Sequence, residues 1–77
     1  MTLSELKKGQ SATVTGIDLL APCALRLMDL GFLPGTSVKM LARAPLGDPL
    51  LVQVRRHTFM LRKTEAQYIR IAAEEKA

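Results

Sequence analysis

The sequence predicts a mainly β fold, a small barrel of about five short strands with one helix inserted early. Three observations predict it. The chain has 77 residues and 48% apolar side chains, enough for one core and one domain. Apolar residues alternate at period two in several short stretches separated by tight-turn residues. One stretch, 19–30, switches to helical spacing. Strands this short, joined by tight turns, close into a barrel more readily than they stack as a sandwich.

The elements follow in order. Thr2 and Glu5 have capping-box spacing ahead of Leu6, which predicts one helical turn with Leu3 and Leu6 facing inward. Ser11 to Ile17 carries Ala12 and Val14 between threonines, a strand in which Gly16 marks a bulge or bend. Leu19, Cys23, Leu27 and Leu30 repeat at helical spacing, widened by Leu20, Ala24 and Met28, with Pro22 in the first turn. That predicts a helix of about three turns over 19–30. Gly31 fits the left-handed position that closes it, which sets Phe32 against Leu27. Arg26 and Asp29, three apart, are placed to pair across its solvent face.

Leu33-Pro34-Gly35-Thr36 predicts a type II turn, with proline presetting φ and glycine supplying a positive one. Ser37 to Ala44 alternates as a strand, and Ala44 to Pro49 connects it to the next. Leu50 to Arg55 and Thr58 to Arg62 form a hairpin. With Arg56-His57 as its tip, Val54 faces Phe59 and Val52 faces Leu61 on one apolar face. Arg-His is poor chemistry for a type I′ turn, and the turn type stays open. Thr64 to Gln67 gives one helical turn, Ile69 and Ile71 a last strand, and 72–77 a frayed polar tail.

Net charge is +4. A small basic domain favours an anionic partner but does not choose one. No apolar run approaches the roughly 20 residues of a membrane span, and the start lacks the pattern of a signal peptide. The single Cys23 fits a reducing compartment, so the expected location is the cytoplasm. Neither self-similarity nor a heptad pattern indicates repeats or a coiled coil.

The chemistry-bearing residues are few. Ser4, Ser11, Ser37 and the single His57 give no triad and no acid–base pair, and no glycine-rich phosphate loop is present, so no enzyme and no cofactor are expected. Cys23 on the helix stripe reads as a small hydrophobe, and no two ligand types have metal-binding spacing. The one metal reading left is a transition-metal site shared between chains, with His57 or Asp48 as ligand. Arg55, Arg56 and His57, with Arg62 and Lys63, cluster on the hairpin. Nucleic-acid binding is the alternative this suggests. Single-strand binders stack bases on aromatic rings, whereas the chain has only Phe32, Phe59 and Tyr68, two of them expected in the core.

The segments Arg26-Leu27-Met28-Asp29-Leu30-Gly31-Phe32-Leu33-Pro34-Gly35, Ala44-Pro45-Leu46-Gly47-Asp48-Pro49 and Leu61-Arg62-Lys63-Thr64-Glu65-Ala66 resemble, together and in order, the FeoA family of bacterial ferrous iron transport. The resemblance covers nearly the whole chain. It implies an SH3-like barrel and an accessory role beside FeoB, a membrane iron transporter with a cytoplasmic GTP-binding domain. A related domain occurs in metal-dependent repressors, whose DNA-binding helices have no counterpart here. On this view the product of the chain is an interface. The candidate contact residues are Arg26, Asp29 and Pro34 near the helix end, and Pro45, Leu46, Gly47, Asp48 and Pro49 in the loop. Turn geometry accounts for the glycines and Pro34, which leaves Arg26, Leu46 and Asp48 least explained by packing. The basic tip Arg55, Arg56 and His57 is the alternative contact. An arginine there, offered in trans to a GTPase, is the sharpest reading of that tip, and a solvated turn the plainer one. An open edge strand also leaves self-association available.

Overall fold

The computed structural model describes residues 1–73. A 3₁₀ turn, Leu3–Glu5, precedes β1 (Ser11–Ile17), α1 (Ala24–Asp29), β2 (Ser37–Arg43), β3 (Leu50–Val54), β4 (His57–Leu61), α2 (Lys63–Ala66) and β5 (Ile69–Ala73). The strands form one antiparallel sheet in the order β4-β3-β2-β1-β5. Every element contributes to a single buried apolar cluster, in which Leu3, Leu6, Leu27, Phe32, Met40 and Leu50 are among the largest fully enclosed side chains. No polar or charged side chain is buried among the described residues. The mainly β class and the five strands agree with the expectation from the sequence.

Two register shifts bend the sheet. One lies between Val14 and Gly16 in β1, at the bulge the glycine predicts. A Cβ on Gly16 would stand 3.3 Å from the Arg70 guanidinium, which lies across that position. The other lies between Met40 and Ala42 in β2, where the strict alternation ends.

The helix is half the expected length. Asp18 intercepts its first turn. Its carboxylate accepts from Leu20 N at 3.0 Å and its carbonyl from Ala21 N at 3.0 Å, giving a tight turn of the kind aspartate favours. A helix starting at Leu19 would need the residue-22 N–H for the Asp18 carbonyl, which Pro22 lacks, and that carbonyl is taken by Ala21 N instead. Leu19 and Leu20 are therefore 72% and 94% exposed rather than on the core stripe. The helix end behaves as predicted. Gly31 N donates to Met28 O and Phe32 N to Leu27 O, the double closure of a Schellman motif, with Gly31 at φ 108°. Thr36 N then donates to Leu33 O across the type II turn, with Gly35 at φ 89°.

The hairpin register differs by two residues from the expected one. Val54 pairs with His57 and Val52 with Phe59, so the turn is Arg55-Arg56. Parity is unchanged, and the same side chains share each face. Arg55 takes φ 57°, a conformation that glycine adopts without strain. At the C-terminal end, Ala72 and Ala73 pair with Thr13 and Ala12 in β5 instead of fraying, and residues 74–77 of the expected tail lie outside the described residues.

The N-terminal turn is tethered by Arg43, a residue that no sequence pattern singles out. The Arg43 guanidinium donates to Ser4 O and Leu6 O, two carbonyls that the end of the turn leaves free. A charged donor serving two carbonyls contributes about 2 kcal/mol. Arg43→Ala is expected to lower unfolding free energy by about that amount, with hydrogen exchange accelerating first in residues 2–7. Unchanged urea midpoints would show that the tether is dispensable.

Candidate functional site

Three of the candidate segments meet at α2. Its first backbone N–H, on Lys63, donates to the Asp48 carboxylate at 2.9 Å. A helix start of one turn leaves several such donors unmatched, and aspartate is a preferred acceptor. Asp48 is thereby explained by the structure: it ties the 44–49 loop to α2. Glu65 is engaged twice, accepting from Arg62 N at 3.0 Å and forming an ion pair with Arg26 on α1. Arg26 thus pairs across to α2 and not with Asp29, its neighbour on the same helix. The arginine is 52% exposed, so the pair contributes at most about 1 kcal/mol. Its effect is to set α1 and the loop on either side of one short helical turn.

The loop itself is tightly folded. Gly47 N donates to Ala44 O at 2.7 Å and Ala44 N to Pro49 O at 3.1 Å, while Gly47 sits at φ 86°. These constraints hold Leu46 at the tip, 97% exposed. An apolar side chain presented to water by a backbone this constrained has little ordering entropy left to lose on contact. Met60 is 67% exposed on β4 and lines, with Pro49, Leu61, Arg62 and Glu65, a shallow depression of about 400 Å³ beside the loop. Asp48→Ala should destabilise the fold by about 1 kcal/mol, the usual value of such a cap, and broaden the amide signals of 45–48. An unperturbed loop spectrum would show that the turn bonds alone suffice.

The remaining candidates lie elsewhere. Asp29 lines a second depression, of about 470 Å³, with Leu30, Gly31 and the hairpin residues Arg55, Arg56 and His57. The helix end and the basic tip, separate in sequence, are therefore adjacent in space. Pro34 lines a third depression, an almost wholly apolar groove with Gly16, Ile17, Leu19, Met28 and Phe32. Cys23 is half-buried at the start of α1. Phe59 is half-buried against Phe32, ring centres 6.4 Å apart, and Tyr68 also packs on the core. Among the described residues no group of three His, Cys, Asp or Glu side chains is placed to hold a metal ion. No helix among them is long and apolar enough to cross a membrane.

Sequence reasoning missed Glu65. The only signal for it was its position three residues after Arg62, the capping-box spacing, without a typical capping residue at the first position.

Comparison with known proteins gives consistent results. Residues 1–73 match the FeoA domain family. A curated relative from Porphyromonas gingivalis, an Fe(2+) transport protein A/Fe(2+) transporter FeoB fusion protein, is 28% identical over 71 residues. The alignment takes in 92% of this chain and only 8% of the fusion protein. Among solved structures, FeoA from Stenotrophomonas maltophilia in complex with zinc is 43% identical, with TM-score 0.85 and coverage of 94% of this chain and 89% of that one. It is described as an SH3 domain protein and suggested as an activating factor for ferrous iron transport. A FeoA-like protein from Clostridium acetobutylicum superimposes with TM-score 0.92 at 28% identity, over 100% of this chain and 90% of that one.

Proposed function

Since this chain belongs to the FeoA family, with its SH3-like fold and its link to ferrous iron transport, we propose that it is a cytoplasmic accessory protein that regulates ferrous iron uptake by binding the FeoB transporter, and that it catalyses no reaction itself. The observation that carries this reading is the fusion protein, in which a segment similar to this chain is covalently joined to FeoB. A covalent link raises effective concentration to the millimolar range and favours contacts between the parts it joins.

The contact surface we assign is the one organised by α2: Arg26 on α1, and Pro45, Leu46 and Asp48 in the loop. Leu46 is its apolar anchor. Arg26 and Asp48 hold the loop and helix in register for the partner. The GTP-binding domain of the transporter is the element we expect it to meet.

Fe(II) uptake by cells lacking their own FeoA tests the role. Wild-type chain should restore uptake, and Leu46→Asp at equal protein level should restore little. Restoration by both would remove Leu46 from the contact. Failure of the wild type, expressed in the organism from which it comes, would contradict the role.

A further inference from the structure

The two edges of the sheet are unlike. β5 is covered by the N-terminus: Thr2 bridges to Arg70, and Ile71 N donates to Met1 O at 2.9 Å. β4 pairs with β3 and is the terminal strand on the other side. Its two-residue turn makes Val54 and His57 the closing pair, which exchanges both backbone hydrogen bonds. Alternation then makes Val52–Phe59 and Leu50–Leu61 the next bonded pairs. The N–H and C=O groups of Thr58 and Met60 consequently point away from β3, and among the described residues no backbone bond from another segment reaches them.

Natural edge strands are usually blunted by a lysine, a proline or a bulge. His57-Thr58-Phe59-Met60-Leu61 has no proline and no lysine, and its ladder to β3 runs without a shift. Thr58 and Met60 are exposed. The fixed charges stand at the two ends instead, Arg55 and Arg56 at the turn, Arg62 and Lys63 after the strand, and residues 55–63 contain no carboxylate. Carboxylates approach from other elements: Asp29 beside the turn, Glu65 held by Arg26 and Arg62 N, and Asp48 held by Lys63 N. Each end of the strand opens into a depression lined by these arginines. At the turn, Arg55 occupies a left-handed conformation that strains a non-glycine residue.

We propose that β4 takes an extended, acidic segment of a partner protein as a sixth strand of the sheet. Its backbone bonds to Thr58 and Met60, and carboxylates at its two ends meet Arg55–Arg56 and Arg62–Lys63. Charge complementarity selects this occupant. Antiparallel pairing of two copies about Phe59 would set Arg55 and Arg56 against Lys63 and Arg62, and like charges placed opposite destabilise such pairs. Single-stranded nucleic acid would need exposed rings for stacking, and Phe59 is half-buried. Strand addition at β4 does not depend on the role in iron uptake.

The test uses the full chain, ¹⁵N-labelled. The probes are the synthetic peptide Asp-Glu-Thr-Val-Thr-Val-Asp-Glu, the same peptide with lysine at its four acidic positions, and an oligothymidine. The acidic peptide should slow amide exchange of Thr58 and Met60 by about tenfold or more, and the lysine peptide should bind at least about tenfold more weakly. Thr58→Pro removes one outward donor without removing a bond to β3, and proline is tolerated at such edge positions. It should keep the native spectrum and bind the acidic peptide about tenfold more weakly. If it does not fold, Arg56→Glu combined with Arg62→Glu, both at exposed positions, should reverse the preference between the two peptides. Tighter binding of the oligonucleotide than of the acidic peptide overturns the proposal, as does binding without protection of Thr58 and Met60. Self-association through β4 in place of peptide binding also overturns it.

Discussion

Gly31→Ala is expected to cost about 2–4 kcal/mol. Two effects add. Gly31 sits at φ 108°, where an L side chain is strained by about 1–2 kcal/mol. A Cβ there would also lie 3.3 Å from Cγ1 of the buried Val54, closer than an ordinary contact, so that side chain must shift, and overpacking by a single methyl costs about 1–2 kcal/mol. Gly35→Ala supplies the contrast. Its φ is 89°, but nothing lies within 4 Å of the added Cβ, so only the backbone strain applies. Urea titration should therefore rank the variants wild type, Gly35→Ala, Gly31→Ala. For a domain of this size the Gly31 variant should melt roughly 10–25 °C below the wild type. Equal losses at the two glycines would mean that Val54 yields, and that the helix end is less tightly seated on β3 than the closure suggests.

Leu46→Asp is expected to weaken binding to the GTP-binding domain of FeoB by at least about tenfold, with melting temperature nearly unchanged. The side chain is 97% exposed, and surface changes of this kind usually stay within about 0.5 kcal/mol of stability. A lost apolar anchor, replaced by a charge that must be desolvated, costs binding about 2 kcal/mol or more. None of the bonds that hold the loop involves the Leu46 side chain, so the substitution removes the anchor and leaves its mounting in place. Leu20→Asp is the matched comparison, at 94% exposure but ahead of α1 and off the loop. It should leave that affinity unchanged. Equal loss from both variants would reassign the contact to the apolar surface around α1.

Local chemistry was legible in the sequence. The helix closure at Gly31, the type II turn at Pro34-Gly35 and the bulge at Gly16 each depend on one residue meeting one backbone demand, and all three stand as expected. Long-range partners were not legible. Helical periodicity over 19–30 is real, but periodicity cannot register that the Asp18 carboxylate competes for the first N–H groups. The hairpin slid by two residues because parity leaves shifts of two indistinguishable, and neither Arg55-Arg56 nor Arg56-His57 is typical turn chemistry. Arg26 found Glu65, 39 positions away, in preference to Asp29 three away, and Asp48 found a backbone N–H on Lys63. The candidate residues were therefore identified singly. Their grouping around α2, and the nearness of the basic tip to the helix end, emerged only with the fold.

The most direct measurement is an NMR titration of the ¹⁵N-labelled chain with the soluble GTP-binding domain of FeoB from the same organism, with and without a GTP analogue. Saturable shifts are expected at Arg26, at residues 45–48 and along α2, with smaller changes elsewhere. Saturable shifts confined to Arg55–Met60 would contradict the assigned surface and move the contact to the β4 edge. No shifts with that domain, and none with the intact transporter in nanodiscs, would contradict the claim that this chain acts by binding FeoB.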